Sequence, residues 1–537
     1  MEIKKIATKP MDGQKPGTGG LRARTKAFMQ PGFLENFIQA VLNVRKRQGE
    51  RLDTMVVGGD GRYPGLEFLP RIIKMLLANG VGKIIVVGRD LVATTPAVSH
   101  IIRKRRADGG FMLSASHNPG GPDGDFGVKI EMANGGQSPE SVTVPVYEET
   151  KTIGHYLTLD ISDEEALAAP EVEFVDAVSD YVELMRSMFD FPLIKKWFDA
   201  GNTFRFDCMN ASTGPYAKAI FRDIFGAPAS SILRGEPMGD FGGLHPEPNP
   251  TYAPEIYGFM MKGGADFACA CDGDGDRDMI LGKGVFVYPS DSLAVMTKHH
   301  RLVPYFRNGF KGVARSAPTS SAVDLVAGKM GIDIYRTPTG WKFFASLLDA
   351  GMISLCGEES FGQGGDYIRE KDAIFAVLFW LNVMAATGKT ARGLVEEMWA
   401  ENGRVFYSQY SYEGVDKAGA DATMEYIRGA DVAGKRYGGF AIKSKEIFDY
   451  TDPATGAVSK DQGVEIFTAD GVRIFFRLSG TGTVGATLRF YIEKFEGDKS
   501  KFGMSGQEYL KDVYVLVEEI FKLKETFGAD IRPSAVN

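Results

Sequence analysis

TMVVGGDGRYPGLEFLPRIIKMLLANGVGKIIVV, residues 54–87, reads as two short β-rich runs with an amphipathic stretch between them. Thr54–Val57 and Lys83–Val87 are apolar and short, as strands are. Leu66–Ala78 carries a helical pattern and predicts a crossover helix. Moving outward, Gly110–Leu113 predicts a further strand, the pattern restarts at Thr203–Asp207 and runs to the apolar Ala265–Cys271, and it restarts again near Gly312–Arg315. Such alternation predicts α/β layers with crossover helices, here in three successive units.

Beyond about Gly403 the pattern changes. Val472–Leu478 and Ala486–Glu493 look like strands, and in the segment after them Leu510, Val513, Val517, Ile520 and Phe521 share one helical face. Strands followed by a helix predict a smaller α+β domain. The expected division is an α/β domain over 1–185, a second over 186–287, a third over 288–403 and the α+β domain over 404–537. A chain of 537 residues, 44% of them hydrophobic, has material for several cores of this size.

The net charge of −7 speaks against nucleic acid or an anionic membrane as partner, and an anionic ligand would need a local basic patch. Cys208, Cys269, Cys271 and Cys356 have no metal-type spacing and are expected to be reduced and buried. Cys269 and Cys271 are expected to point to opposite sides of their strand. The start, MEIKKIATKPMDGQKPGTGG, lacks the apolar core of a signal peptide, and the most apolar segment, Ala373–Thr387, is too short to span a bilayer and reads as a buried helix. A cytoplasmic, monomeric protein is expected.

Four segments carry chemistry. Leu113-Ser-Ala-Ser-His-Asn-Pro-Gly-Gly-Pro122 follows a strand, so its turn can hold the Ser116 hydroxyl at the carboxyl edge of a sheet with His117 beside it. Taken alone, Ser116 could equally cap a turn. In Cys271-Asp-Gly-Asp-Gly-Asp-Arg-Asp278, glycines let Asp272, Asp274 and Asp276 converge on one hard cation such as Mg²⁺. A calcium EF-hand fails: counted from Asp272, position six is Arg277 where glycine is needed, and position twelve is Lys283 where glutamate is needed. Cys356-Gly-Glu-Glu-Ser-Phe-Gly362 offers Glu358 and Ser360 to sugar hydroxyls or is a structural turn, and Thr339-Gly340-Trp341 adds a flat aromatic suited to a sugar face, although a lone tryptophan more often belongs to a core. In Arg477-Leu-Ser-Gly-Thr-Gly-Thr483 one guanidinium, three hydroxyls and flexible backbone N–H groups make a phosphate cradle that is not a P-loop. Lys15-Pro-Gly-Thr18-Gly-Gly-Leu-Arg22, Lys129, Arg369 and Lys371 supply further positive charge. An activated hydroxyl, a metal loop, a sugar turn and a phosphate cradle suggest one cleft built from four domains.

SASHNPGGPDGDFGVK, DGDGDRDMILG, TPTGWKFF, CGEESFGQGGDYIREKD and RLSGTGTVGATLR occur in this order over nearly the whole length. In these motifs the chain resembles the α-D-phosphohexomutase superfamily, and within it the phosphoglucomutase 1-type enzymes. The resemblance implies three related α/β domains and a fourth around a central cleft, with Ser116 as phosphoserine. It implies one Mg²⁺ on Asp272, Asp274, Asp276 and the serine phosphate, and glucose 1,6-bisphosphate as intermediate and activator. Glu358 and Ser360 match its sugar contacts, and Arg477, Ser479, Gly480 and Thr481 its grip on the non-reacting phosphate. Thr18, Arg22, His117, Lys129, Arg277, Thr339, Gly340, Trp341 and Lys371 fall in matching cleft segments, with Lys129 or His117 as general base. Two positions depart from the pattern: Gly19 stands where serine is usual, and Ser114 where threonine is usual. The implied substrate is a glucose phosphate. Sister enzymes taking mannose or glucosamine phosphates, a phosphoprotein scaffold and a metal-dependent phosphatase are the competing readings.

Overall fold

The computed structural model describes residues 2–17, 19–479, 485–528 and 534–536, the last stretch and Ser479 as backbone only. The first expected unit forms as read. Thr54–Gly59 and Lys83–Val87 are parallel neighbours, and the Gly65–Ala78 helix joins them. Its apolar face, including Phe68, Ile72, Ile73 and Leu76, is fully buried.

The three α/β units, built on sheets of six, five and four strands, share one four-strand order. In the first, the strand order runs Lys83–Val87, Thr54–Gly59, Gly109–Leu113, Asp125–Met132. In the second it runs Ile232–Leu233, Phe204–Asp207, Phe267–Cys271, Asp278–Gly282, and in the third Asp333–Thr337, Gly312–Ser316, Leu355–Gly357, Gln363–Gly365. In each, three strands are parallel and the fourth is antiparallel to the third. The repeat that residue identities do not display is therefore present in the strand order. It also puts residues 114–124, 272–277 and 358–362 at one equivalent place, the turn leaving the carboxyl end of the third strand. That edge is where open α/β sheets bind ligands.

One apolar core runs through all three units, from Val56 through Phe206, Cys269 and Val313 to Val395. Its centre is the Ala373–Thr387 helix, buried from Ala373 to Met384, started by Asp372 accepting the Phe375 N–H at 3.1 Å and ended by Gly388 at φ 67°. Among the described residues no single helix is long and apolar enough to cross a membrane. All four cysteines are buried and unbridged. Cys269 and Cys271 nevertheless face the same side, in one cluster with Cys208, while Ala268 and Ala270 face another. The expectation that they point apart is corrected by the strand's two-residue period.

From Arg404 an antiparallel sheet begins. Its order includes Phe440–Ile447, Val464–Thr468, Val472–Ser479, Ala486–Glu496 and Arg404–Val415. The Gly506–Phe521 helix packs on it with Leu510, Val513, Val517, Ile520 and Phe521 buried. This unit has its own core. It meets the third unit through a small cluster of Ala317, Tyr407, Phe475 and Tyr491 and through ionic contacts such as Arg336–Glu465 at 2.6 Å.

Candidate active site

Ser116 lies three residues past the Gly109–Leu113 strand, 1% exposed, with φ +53°. A left-handed non-glycine residue is strained, and neighbours must hold it there. Ser114 Oγ accepts the Ser116 N–H at 2.8 Å, and Arg62 Nη2 donates to the Ser116 carbonyl at 2.6 Å. Arg62 is fixed in turn by Asp60, through Nε to both carboxylate oxygens at 3.0 and 2.8 Å. The Ser116 hydroxyl donates to Asp272 Oδ2 at 2.9 Å, across 156 residues of sequence.

The acidic loop reaches this point because its glycines allow it. A Cβ on Gly273 would stand 2.4 Å from the Ser116 carbonyl oxygen, a backbone atom that cannot rotate away. Gly273→Ala is expected to separate the two loops and lower kcat about 100-fold, since an ångström of misplacement costs this much; steady-state rates against metal concentration check it. Asp272 Oδ1 accepts the N–H groups of Asp276 and Arg277 at 2.9 and 3.1 Å, closing the loop on itself. Asp274 Oδ2 accepts from Lys129 Nζ at 2.6 Å, Thr95 Oγ1 at 2.8 Å and Ser114 Oγ at 2.9 Å.

The carboxylates of Asp272, Asp274 and Asp276 each put an oxygen within 4.8 Å of the others, and all three residues are buried. Asp274 Oδ1 and Asp276 Oδ1 hydrogen-bond nothing among the described residues. Burial, then Asp276 and Asp274, push Asp272 well above the usual carboxylate range. Burial also opposes charge on Asp274, but the Lys129 ammonium and the Thr95 hydroxyl outweigh it and hold that group low. Buried, oxygen-only donors, two of whose oxygens accept no hydrogen bond among the described residues, fit a hard divalent cation.

Positive charge rims the cluster. Lys371 Nζ is 3.4 Å from Asp276 Oδ1, Lys129 Nζ is 3.5 Å from Asp276 Oδ2, and Arg277 Nε is 3.8 Å from Asp276 Oδ1. Arg22, on the Gly20–Arg24 strand, has its pKa lowered by burial and by the nearby Arg277 charge. Burial, then Arg277 and Arg22, push His117 well below its ordinary value. Against burial, Asp274 and Asp276 raise Lys129 and keep it an ammonium.

Behind Lys129 lies a pair of carboxyl groups with little solvation. Glu131 is 1% exposed with neither oxygen hydrogen-bonded among the described residues, and Glu370 is fully buried with only Oε2 engaged, by Gln137 Nε2 at 3.2 Å. Burial, and then Glu131, push Glu370 well up; burial pushes Glu131 up to about 7 from 4.5. A carboxyl whose folded pKa is raised favours the unfolded state as it ionises, so this site loses stability as pH rises from 4.5 towards 7. Glu131→Gln is therefore expected to raise Tm by about 2–4 °C at pH 8 and to leave it unchanged near pH 4, in paired melting curves.

The sugar-turn residues come together in part. Glu358 is 5% exposed and its Oε1 accepts the Gly340 N–H at 3.1 Å, so the 339–341 and 358–360 turns touch. The Trp341 ring corrects an expectation. It is 2% exposed, packed edge-on against Phe344 at 5.0 Å in a core with Ala314, Leu347 and Ile353. The ring opens the Trp341–Asp349 helix, whose apolar face turns into the sheet, so it offers no flat surface to a sugar. Arg477 Nε donates to Tyr491 Oη at 2.8 Å, and its Nη2 is 3.5 Å from Glu359 Oε1. That contact brings the fourth unit's loop to the sugar turn. Thr18, Gly480, Thr481 and the Ser479 side chain lie outside the described residues.

Sequence reasoning passes over Asp60, Arg62, Thr95 and the bridging role of Ser114. A signal for the first two exists: Asp60-Gly-Arg62 directly follows the Thr54–Gly59 strand, at the same sheet edge as the Ser116 loop. Thr95 is harder to find, because its tie to Asp274 is made across 179 residues.

Comparison with known proteins agrees over the full length. Models of the phosphoglucomutase/phosphomannomutase alpha/beta/alpha domains I, II and III match residues 13–157, 179–284 and 289–402, and the phosphoglucomutase-1 C-terminal domain matches 404–534. The chloroplastic phosphoglucomutase of Arabidopsis thaliana is 46% identical, covering 100% of this chain and 89% of that one. The phosphoglucomutase of Rhizobium radiobacter is 44% identical over 99% of this chain and 100% of that one. Among solved structures, the open form of the exocytosis-sensitive phosphoprotein pp63/parafusin, a phosphoglucomutase from Paramecium, superposes with a TM-score of 0.89 at 42% identity, covering 99% of each chain. Shared strand order, the converging loops and identity along the entire chain place this protein in the phosphoglucomutase/phosphomannomutase family.

Proposed function

We propose that the chain is a phosphoglucomutase that interconverts α-D-glucose 1-phosphate and glucose 6-phosphate through phosphoserine at Ser116 and a glucose 1,6-bisphosphate intermediate. The observation that carries this reading is the Ser116 hydroxyl held 2.9 Å from Asp272, at the meeting point of the acidic loop and the basic rim. Relatives named phosphoglucomutase, alike along the whole chain, support it.

Asp272, Asp274 and Asp276 would hold one Mg²⁺. When bound, that ion supplies neutralising charge at the phosphate oxygens. The chain's own groups do the rest. Ser116 carries the phosphoryl group, its strained backbone presenting Oγ to the cleft. As a sugar hydroxyl oxygen bonds to phosphorus, the hydroxyl proton passes to His117, and the Ser116 ester bond breaks with the serine oxygen taking a proton from a rim ammonium, Lys129 or Lys371. Lys129 already donates to Asp274 and Thr95, at 2.6 and 3.1 Å, whereas His117 Nδ1 has no partner among the described residues. His117 is thus the freer acceptor. Arg22, Arg277 and Lys371 offset charge on the phosphoryl group in flight. Glu358 and Ser360 bind sugar hydroxyls, Thr339 and Gly340 border them, Thr18 contributes to substrate binding, and Arg477 with Ser479, Gly480 and Thr481 grips the phosphate that is not reacting. The bisphosphate turns over in the cleft and returns its second phosphate to Ser116. Water must be kept out meanwhile, a role that suits closure of the fourth unit. We assign the work to a cytoplasmic monomer of four domains, divided at 1–185, 186–287, 288–403 and 404–537.

The test is an assay with glucose 1-phosphate, Mg²⁺ and a trace of glucose 1,6-bisphosphate, coupled to glucose 6-phosphate detection. Activity that is lost on chelation and exceeds the kcat/KM for mannose and glucosamine phosphates supports the reading. Steady phosphate release without isomerisation would replace it with a phosphatase.

A further inference from the structure

His245-Pro-Glu-Pro-Asn-Pro250 forms no helix or strand. Its alternate prolines fix φ at every second position, so the three intervening side chains are borne on a stiff backbone. Asn249 Oδ1 accepts the N–H groups of Thr251 and Tyr252 at 2.9 and 3.0 Å, and the Glu247 N–H donates to the His245 carbonyl at 2.8 Å. The His245 ring lies on Tyr252, 3.9 Å between centroids, and faces the His117 ring at 6.0 Å and 16°. One donor atom from each of His117, His245 and Glu247 lies within 4.8 Å of the other two. His117 Nδ1 and His245 Nε2 are both buried and hydrogen-bond nothing among the described residues. Glu247 Oε2 is 3.4 Å from His245 Nε2, and Arg277 Nη1 stands 3.6 Å from the other oxygen of Glu247.

We propose that His117, His245 and Glu247 form a second metal site, for a divalent transition-metal ion of the zinc class, distinct from the oxygen-only aspartate site. Two imidazoles and one carboxylate are donors that such an ion prefers, whereas magnesium prefers oxygen ligands in near-octahedral array. The fourth position is left to water or a phosphate oxygen. Arg277 on the far oxygen of Glu247 orients that carboxylate, as outer partners of metal ligands do. Zinc–nitrogen bonds of about 2.0–2.1 Å require the donors to draw closer by side-chain rotation. Coordination would take the lone pair of the His117 imidazole and tie the Ser116 loop to the second unit, so occupancy is inhibitory. Excess magnesium would not relieve that inhibition.

The experiment uses the full chain saturated with Mg²⁺, titrated with Zn²⁺ by calorimetry and with Co²⁺ by visible absorption. His245→Ala, Glu247→Gln and Asp274→Asn are run in parallel after their melting curves show them folded. The expected result is one Zn²⁺ per wild-type chain and tetrahedral-type Co²⁺ bands. Affinity falls at least about 10-fold in His245→Ala and Glu247→Gln and persists in Asp274→Asn. Unchanged uptake in both His245→Ala and Glu247→Gln would overturn the proposal, as would uptake lost only in Asp274→Asn. Zn²⁺ inhibition, scored against each variant's own zinc-free rate, is expected to weaken in His245→Ala. The binding readouts need no turnover, so they decide this site even if the chain failed the glucose phosphate assay.

Discussion

Ser116→Ala is expected to abolish isomerisation while leaving a folded protein. Among the described residues Oγ hydrogen-bonds to Asp272, and the residue's contacts with Ser114 and Arg62 are through its backbone. Alanine keeps those backbone contacts, so the left-handed turn at φ +53° survives with its strain unchanged. What is lost is the phosphoryl carrier. Removing a covalent nucleophile costs about 10⁴–10⁶ in kcat. The loss of one hydrogen bond to a carboxylate costs about 1.5–3 kcal/mol. The measurements are kcat, phosphoryl incorporation from labelled substrate, and a melting curve. Residual activity above about 1% of wild type would assign the transfer to another group, since nucleophile deletions lie far below that level.

Much of this site is legible in the sequence, for physical reasons that differ between its parts. The acidic loop stands out because three carboxylates spaced by glycines have few uses other than a cation, and because a strand leads into them. The Ser116 loop becomes legible in combination with it. The buried helix Ala373–Thr387 follows from length and hydropathy alone. Trp341 stays ambiguous because an aromatic beside a polar turn has the same local sequence whether its ring faces cleft or core; only the sheet behind it decides. Arg62 is hidden for a related reason. Its partners, Asp60, Ser116 and Asp125, lie 2, 54 and 63 residues away, and a lone arginine after a strand looks like surface charge until those segments are folded together. The common strand order of the three units is equally hard to see, because topology is kept by pattern, and pattern tolerates change at nearly every position.

Arg62→Met should strongly destabilise the fold. Arg62 is 1% exposed and spends its donors on Asp60, the Ser116 carbonyl at 2.6 Å and the Asp125 carbonyl at 3.0 Å, with Cζ 5.0 Å from the Phe241 ring centroid. Burial already raises Asp60, and Arg62 is the charge that opposes this. Methionine fills the same volume but leaves Asp60 buried without its counter-ion, at a cost of about 3–5 kcal/mol. Lysine should rescue only in part, because a single ammonium cannot span three acceptors held in a fork. Catalysis should fall as well, since the Ser116 peptide loses the donor that holds its strained turn. Pairing the change with Asp60→Asn separates the two effects. The double variant removes the orphaned charge and should recover most of the melting temperature, but it cannot restore the donor to Ser116, so kcat should stay low. If Arg62→Met melted with the wild type, the buried pair would carry no stability. If the double variant regained full activity, the positioning of Ser116 would have to come from elsewhere.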